Sequence, residues 1–360
     1  MCLAKETVSQ NALAGNKRRG GKAAEVELGV LIGLILTEGF MASFLYWVLP
    51  TLGGYALTSV YLLRNPHILH KKKRSAFYCR HISHRGGSGE KIESTMEAFT
   101  HSIEEDTDML ELDCHLTQDG HVIVSHDENL LRQTGHDIDI SSVKLEKLPL
   151  YKERLEVTFY AGHFSTGLDR KFALLEDVFR KFPRVPINIE IKEDNYTLIK
   201  KVSALVKQYS REDITVWASV KSDIMRKCRL ENPSMPYMFS MARGVQLLLL
   251  YYTGLLPFVP IGESFLQFYL IPIINRTYIP SSTIMRNRII TFAIGKLTMR
   301  KCLFKHLADR GIQVHLFVCN EERDIEAAFA LGATGVMTDY PALLSNYLHA
   351  HPPTASPCSQ

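Results

Sequence analysis

Two strand-like runs carry acids at a spacing that sets them side by side. Glu111 and Asp113 in "DMLELD" (108–113) are two positions apart, as are Glu190, in "PINIEI" (186–191), and Lys192. Within a strand, residues two apart face the same way. Carboxylates crowded at the ends of apolar strands are costly unless a cation receives them. The oxygen donors of Glu111, Asp113 and Glu190 suit one hard divalent ion, calcium or magnesium. Any one of these acids alone reads better as half of a strand-end salt bridge; the set of three favours a metal.

His84 ends the apolar run "HISH" and His126 follows "HVIVS". Two imidazoles at strand ends beside acids make a proton-transfer pair. His81, His101, His115, His121 and His315 lack that placement and read as surface or satisfied core residues. Arg85 offers a planar fork of donors suited to a phosphate, and Gly86, Gly87 and Gly89 would let the backbone approach a ligand. Ser94 and Glu97 in "ESTME" form a capping-box pattern that would start the next helix.

These groups need a scaffold that presents several strand ends together. Short apolar or β-branched runs recur at 78–83, 108–113, 121–125, 186–191, 214–219, 236–240, 312–318 and 335–339, most of them separated by helical patterns. Eight such runs predict a (β/α)8 TIM barrel with its site at the carboxyl ends of the strands. An open doubly wound sheet is the alternative, but no GxGxxG follows the first run. Residues 127–170 break the alternation and read as an insertion after the third strand. Residues 244–274 are apolar, with Pro257, Pro260 and Pro272, and read as a membrane-proximal loop or lid.

At 360 residues with 46% apolar content, the chain has enough apolar material for one large catalytic domain, assigned here to 79–345. Its net charge of +4 comes largely from "NKRRGGK" (16–22) and "HKKKR" (70–74), which flank an apolar segment, a pattern that fits lipid headgroups and not nucleic acid. Seven cysteines without a CxxC pair indicate neither a disulfide framework nor a zinc site. Residues 41–63 hold no charge and match the ~20 residues of a spanning helix. The expectation is an integral membrane protein with an extension (1–40), a transmembrane anchor (41–63), a basic linker (64–78) and a tail (346–360) whose end, "HPPTASPCSQ", reads as disordered. Basic residues on both sides leave its orientation open.

Taken in order, "HRGGSGEKIESTMEAF", "LELDCHLTQDGHVIVSHDENLLRQTG", "INIEIK" and "GATGVMTDYP" resemble the glycerophosphodiester phosphodiesterase family over residues 79–345. "LPLYKERLEV" and "TGLLPFVPI" resemble its membrane-bound subgroup with lysophospholipase D activity. The resemblance implies catalytic roles for His84 and His126, metal ligation by Glu111, Asp113 and Glu190, and phosphate contacts from Arg85 and Lys192. It also implies a TIM barrel, one divalent cation with calcium favoured over magnesium, and residence in the endoplasmic reticulum or perinuclear membrane.

Lysophosphatidylcholine and lysophosphatidylethanolamine are the implied substrates, met at a bilayer, with lysophosphatidic acid or its cyclic form as product and with cleavage of water-soluble glycerophosphodiesters as well. His84 is taken as base and His126 as acid, an order the sequence does not settle. Two positions depart from the family pattern: Ser94 stands where Asn is usual, and Phe317 where Trp is usual. The alternatives are a barrel of the phosphatidylinositol phospholipase C or sphingomyelinase D type, and a non-catalytic lipid-binding module.

Overall fold

The computed structural model describes residues 43–352, so the 1–40 extension and the tail from 353 lie outside the described residues. The chain divides into two compact units, Met1–Tyr61 and Leu62–Gln360. The first helix, α1, runs over residues 43–64. It corrects the expected anchor. Among the described residues no helix is long and apolar enough to cross a membrane, so the integral membrane placement, with its endoplasmic reticulum or perinuclear assignment, is not supported. Freedom from charge is not apolarity: Pro50, Thr51, Gly53, Gly54, Thr58, Ser59 and three tyrosines dilute the leucines of this stretch.

In the second unit the strands are β1 (His81–Ser83), β2 (Met109–Leu116), β3 (Val122–Val124), β4 (Arg154–Glu156), β5 (Phe164–Thr166), β6 (Ile187–Glu190), β7 (Thr215–Ala218), β8 (Phe265–Tyr269), β9 (Gln313–Phe317) and β10 (Gly335–Thr338). The helices after α1 are α2 (Met96–Glu104), α3 (Leu131–Thr134), α4 (Leu175–Lys181), α5 (Tyr196–Gln208), α6 (Ser222–Glu231), α7 (Met241–Tyr252), α8 (Thr283–Arg286), α9 (Arg288–Thr298), α10 (Lys301–Asp309), α11 (Glu322–Ala330) and α12 (Pro341–Ala350). Seven strands form one parallel sheet in the order β7-β6-β2-β1-β10-β9-β8. Parallel bridges from Trp217 to Tyr237 and from Met238 to Phe265 carry residues 237–238 between its two edges and close the curl. The result is a TIM-barrel-like fold.

Three strand assignments change, the first being 236–240, which contributes only the bridges just described. "HVIVS" yields β3, which turns back antiparallel on β2 (Cys114 opposite Val124) and stays out of the parallel sheet. A parallel strand needs a crossover of a dozen or more residues, and "TQDG" supplies only a hairpin turn. β8, in turn, comes from inside the apolar 244–274 stretch, where periodicity alone cannot separate a buried strand from its surroundings. Buried side chains of β1, β2, β6 and β7, joined by Phe265 and Met337, form one core cluster, and the remaining buried residues of β8, β9 and β10 belong to another. A third cluster, with Ile92, Tyr151, Leu155 and Phe172, anchors the 127–170 segment.

Candidate active site

The parallel register of β2 and β6 sets Glu111 opposite Asn188 and Asp113 opposite Glu190. Ligand oxygens of Glu111, Asp113 and Glu190 come within 4.8 Å of one another. Glu111 and Asp113 are buried, and Asp113 Oδ2 has no hydrogen-bond partner among the described residues. Burial, and then the neighbouring Asp113 charge, raise the pKa of Glu111 and push that of Glu190 up to about 7. Asp113 is held below the usual range: burial acts to raise it, but Lys192, His126 and Arg85 outweigh that. Three carboxylates in this space, one with an orphaned oxygen, fit a hard divalent cation.

Each candidate histidine has its own carboxylate. His84 sits in a single 3-10 turn after β1, its Nδ1 2.6 Å from Asp339 Oδ1 and its Nε2 4.0 Å from Glu111 Oε2. Asp339 is fully buried after β10 and also accepts from Ser88 Oγ (2.5 Å) and Asn320 Nδ2 (2.7 Å). These contacts, led by His84, keep it ionised against its burial. An Nδ1–H given to Asp339 leaves Nε2 aimed at the acid cluster. His126, after β3, pairs through Nδ1 with Asp127 Oδ1 at 2.5 Å. Burial, then the Arg85 charge, push His126 down to about 4. Arg132 Nε holds Asp127 in turn at 2.6 Å.

Arg85 takes a left-handed backbone (φ 50°) uncommon for a residue with a side chain. Its N–H donates to Glu111 Oε2 at 2.9 Å, and Nη1 donates to Glu93 Oε2 and Thr158 Oγ1. Nε and Nη2 are buried without partners among the described residues, two donors that an anion could satisfy. Such strain persists where surrounding contacts hold it. Gly86 is also required by packing. A Cβ on Gly86 (φ 76°) would lie 2.6 Å from the Phe99 ring, so the absent side chain seats the loop on α2. The expected capping box is also replaced: Thr95 Oγ1 accepts from Ala98 N (3.1 Å). Glu97 instead accepts from Leu168 N and Asp169 N, tying the 127–170 segment to α2.

Lys192 Nζ pairs with Asp113 Oδ1 at 2.7 Å and neutralises an acid of the cluster. His115 is a buried ion-paired residue, 2.6 Å from Glu193 Oε1 and 3.0 Å from Glu128 Oε2, and its Nε2 reaches the backbone oxygen of His126 at 3.4 Å. Phe159, Tyr269, Tyr278 and Phe317 form an aromatic wall, with the Phe159 ring 5.3 Å from His84. Residue-level reading missed Asp339, Asp127, Asn320 and Thr158. The signal within reach was an acid directly after an apolar run in "VMTDYP", and an acid beside histidine in "SHDEN".

The glycerophosphoryl diester phosphodiesterase family profile matches residues 84–343, the span from His84 to the first turn of α12. The chain belongs to that family. It is therefore a phosphodiester hydrolase, and the carboxylate cluster is a site that could hold the divalent metal such enzymes use. Human lysophospholipase D GDPD3 is 51% identical over 315 residues, covering 88% of this chain and 99% of that relative. Human lysophospholipase D GDPD1 is 49% identical over 304 residues, covering 84% and 97%.

Among solved structures, a glycerophosphoryl diester phosphodiesterase from Silicibacter pomeroyi aligns with TM-score 0.56 at 18% identity, over 78% of this chain and 95% of that one. An Oleispira antarctica phosphodiesterase bound to sn-glycerol-3-phosphate aligns with TM-score 0.52 at 17% identity, over 76% and 98%. These two carry the fold alone.

Proposed function

We propose that this protein is a metal-dependent lysophospholipase D that releases the head-group alcohol from lysophosphatidylcholine or lysophosphatidylethanolamine. The observation that carries this reading is the convergence of two carboxylate-paired histidines and the buried free donors of Arg85 on the Glu111, Asp113, Glu190 cluster. The names of its relatives support the substrate class. Glu111, Asp113 and Glu190 would hold one divalent cation, calcium favoured over magnesium, which when bound would supply neutralisation of phosphate charge.

Arg85 holds a phosphate oxygen through its unpartnered nitrogens, and Lys192 lends positive charge beside Asp113. One histidine of the His84 and His126 pair removes the proton of the free 2-hydroxyl of the glycerol moiety, which attacks phosphorus. The other gives a proton to the departing choline or ethanolamine oxygen. Asp339 and Asp127 keep the two rings oriented through each exchange. Water then opens the cyclic phosphate to lysophosphatidic acid.

This route needs a neighbouring hydroxyl, so diacyl phospholipids should be inert. A lysolipid also needs a place for its chain, and exposed Leu249, Leu255 and Phe258 support presentation from a lipid surface. The test is choline release from lysophosphatidylcholine by full-length protein, with and without chelator, beside His84→Ala and Glu111→Ala. Release that requires both metal and intact residues supports the proposal. Equal turnover of diacyl phosphatidylcholine would refute the hydroxyl-attack route. Release from phosphatidylinositol or sphingomyelin alone would favour the rival barrel types.

A further inference from the structure

The amino-terminal ends of β8 and β9 open on a second group of cations. A strand of five residues spans about 16 Å, which separates this end of the barrel from Tyr269 and Phe317 at the catalytic end. The basic segment ahead of β1 is pinned here. Lys73 N donates to Arg310 O at 2.9 Å, and Lys73 Nζ donates to the carbonyls of Gly262 and Glu263. Gly311 (φ 78°) makes the close approach possible, since a Cβ there would lie 2.3 Å from Lys73 O. His70 Nε2 lies 2.8 Å from Pro257 O.

Between these pieces is a cavity of about 240 Å³, lined by His70, Lys71, Lys73 and Arg310 with Pro260 and Ile261. Arg310 is only 5% exposed. Its Nη2 donates to Val259 O at 3.0 Å, but Nη1 is buried with no partner among the described residues. The acids nearby are engaged elsewhere: Glu263 accepts from Arg243 Nε at 2.7 Å, and Asp309 from Lys305 Nζ at 2.8 Å. Burial without a counter-charge brings Arg310 down to about 10. Lys73 is lowered by burial; Glu263 acts against that, while Arg310 and Arg229 add to it. Buried Arg310 and half-buried Lys73 face one open space, and neither is ion-paired with a carboxylate among the described residues, so a counter-ion there would offset the cost of their burial.

We propose that this cavity is a second anion site, distinct from the catalytic centre, which takes a phosphate-class oxyanion. The buried unpartnered guanidinium nitrogen of Arg310 supplies a directional donor, and Lys71 and Lys73 supply point charges. The space accommodates a phosphoryl group. The group belongs either to a soluble phosphate ester or to the headgroup of an anionic lipid, and experiment separates the two.

The test uses full-length, metal-loaded protein and compares wild type with Arg310→Gln and with Lys71→Glu. Lys71 is exposed, so its variant keeps the test valid if loss of Arg310 harms folding. Thermal shift and calorimetry are run with inorganic phosphate, and flotation with vesicles of phosphatidylcholine alone or mixed with phosphatidylglycerol. Phosphate bound at the catalytic end contributes equally in all three proteins, and turnover of glycerophosphocholine stays unchanged in the variants. A soluble ligand is indicated if phosphate stabilises wild type and binds the variants about tenfold more weakly. A lipid headgroup is indicated if only the mixed vesicles retain wild type and the variants are released. Equal phosphate response and equal vesicle retention in all three proteins would overturn the site.

Discussion

Asp339 Oδ1 lies 2.6 Å from Nδ1 of His84, across 255 positions of sequence. The carboxylate is fully buried and has three donors, so it is an orienting group for the imidazole and its charge outlasts its desolvation.

Replacing it tests that role. Asp339→Asn keeps the shape but gives His84 a partner able to donate, which frees the wrong tautomer. We expect kcat for glycerophosphocholine to fall about a hundredfold or more with little change in KM. A parallel loss in melting temperature with KM and kcat both altered would mean that Asp339 only supports the loop.

The crowded carboxylates predict a trade of stability against activity. Glu111→Gln keeps an acceptor for the Arg85 N–H while removing one of three repelling charges. The metal-free variant should therefore melt no lower than metal-free wild type, and its activity should fall by about a thousandfold. Adding calcium or magnesium should raise the melting temperature of wild type and leave that of the variant nearly unmoved. A variant that still responds to metal would remove Glu111 from the ligand set.

Two buried histidines away from the site predict how stability follows pH. Burial pushes His315 down to about 3 and His306 down to about 4 in the folded chain. An unfolded histidine titrates near 6.5, so below that pH the unfolded state binds more protons and stability falls as pH falls. The contribution is complete above pH 6.5 and is lost progressively from there down through pH 4 to 3. Each residue adds a slope of up to about 1.4 kcal/mol per pH unit. Urea titrations between pH 7.5 and 4.5 should show a shallower slope in His306→Gln than in wild type; identical slopes would refute the assignment.

Lysolipid and water-soluble substrates should part company at the apolar surface. Leu247 is buried in the core cluster of β8 to β10, so a polar side chain there should harm folding and lower both activities. Leu249 is 62% exposed on α7. Leu249→Ser together with Phe258→Ser should raise KM for lysophosphatidylcholine severalfold and spare glycerophosphocholine, because acyl-chain contact contributes about 0.8 kcal/mol per buried methylene. Equal losses on both substrates would mean that these side chains serve packing.

What the sequence determined by itself was local. The two-residue period of a strand is a property of neighbouring φ and ψ, so the shared face of Glu111 and Asp113 was readable without any partner strand. A histidine or an acid just after an apolar run was readable in the same way. What pairs with what depends on chain closure over long separations, and only the tertiary structure decided it.

The curl of the sheet set Asp339 beside His84 and Glu190 opposite Asp113. It drew β8 out of an apolar run with no period of its own, whereas the antiparallel return of "HVIVS" follows from the short "TQDG" turn before it. The Thr95 cap and the left-handed Arg85 follow from how the loop after β1 must fit against α2. The cation cluster at the opposite end shows the same limit. His70 and Lys73 looked like part of a basic linker until the fold placed them on Arg310, whose Nη1 has no partner among the described residues.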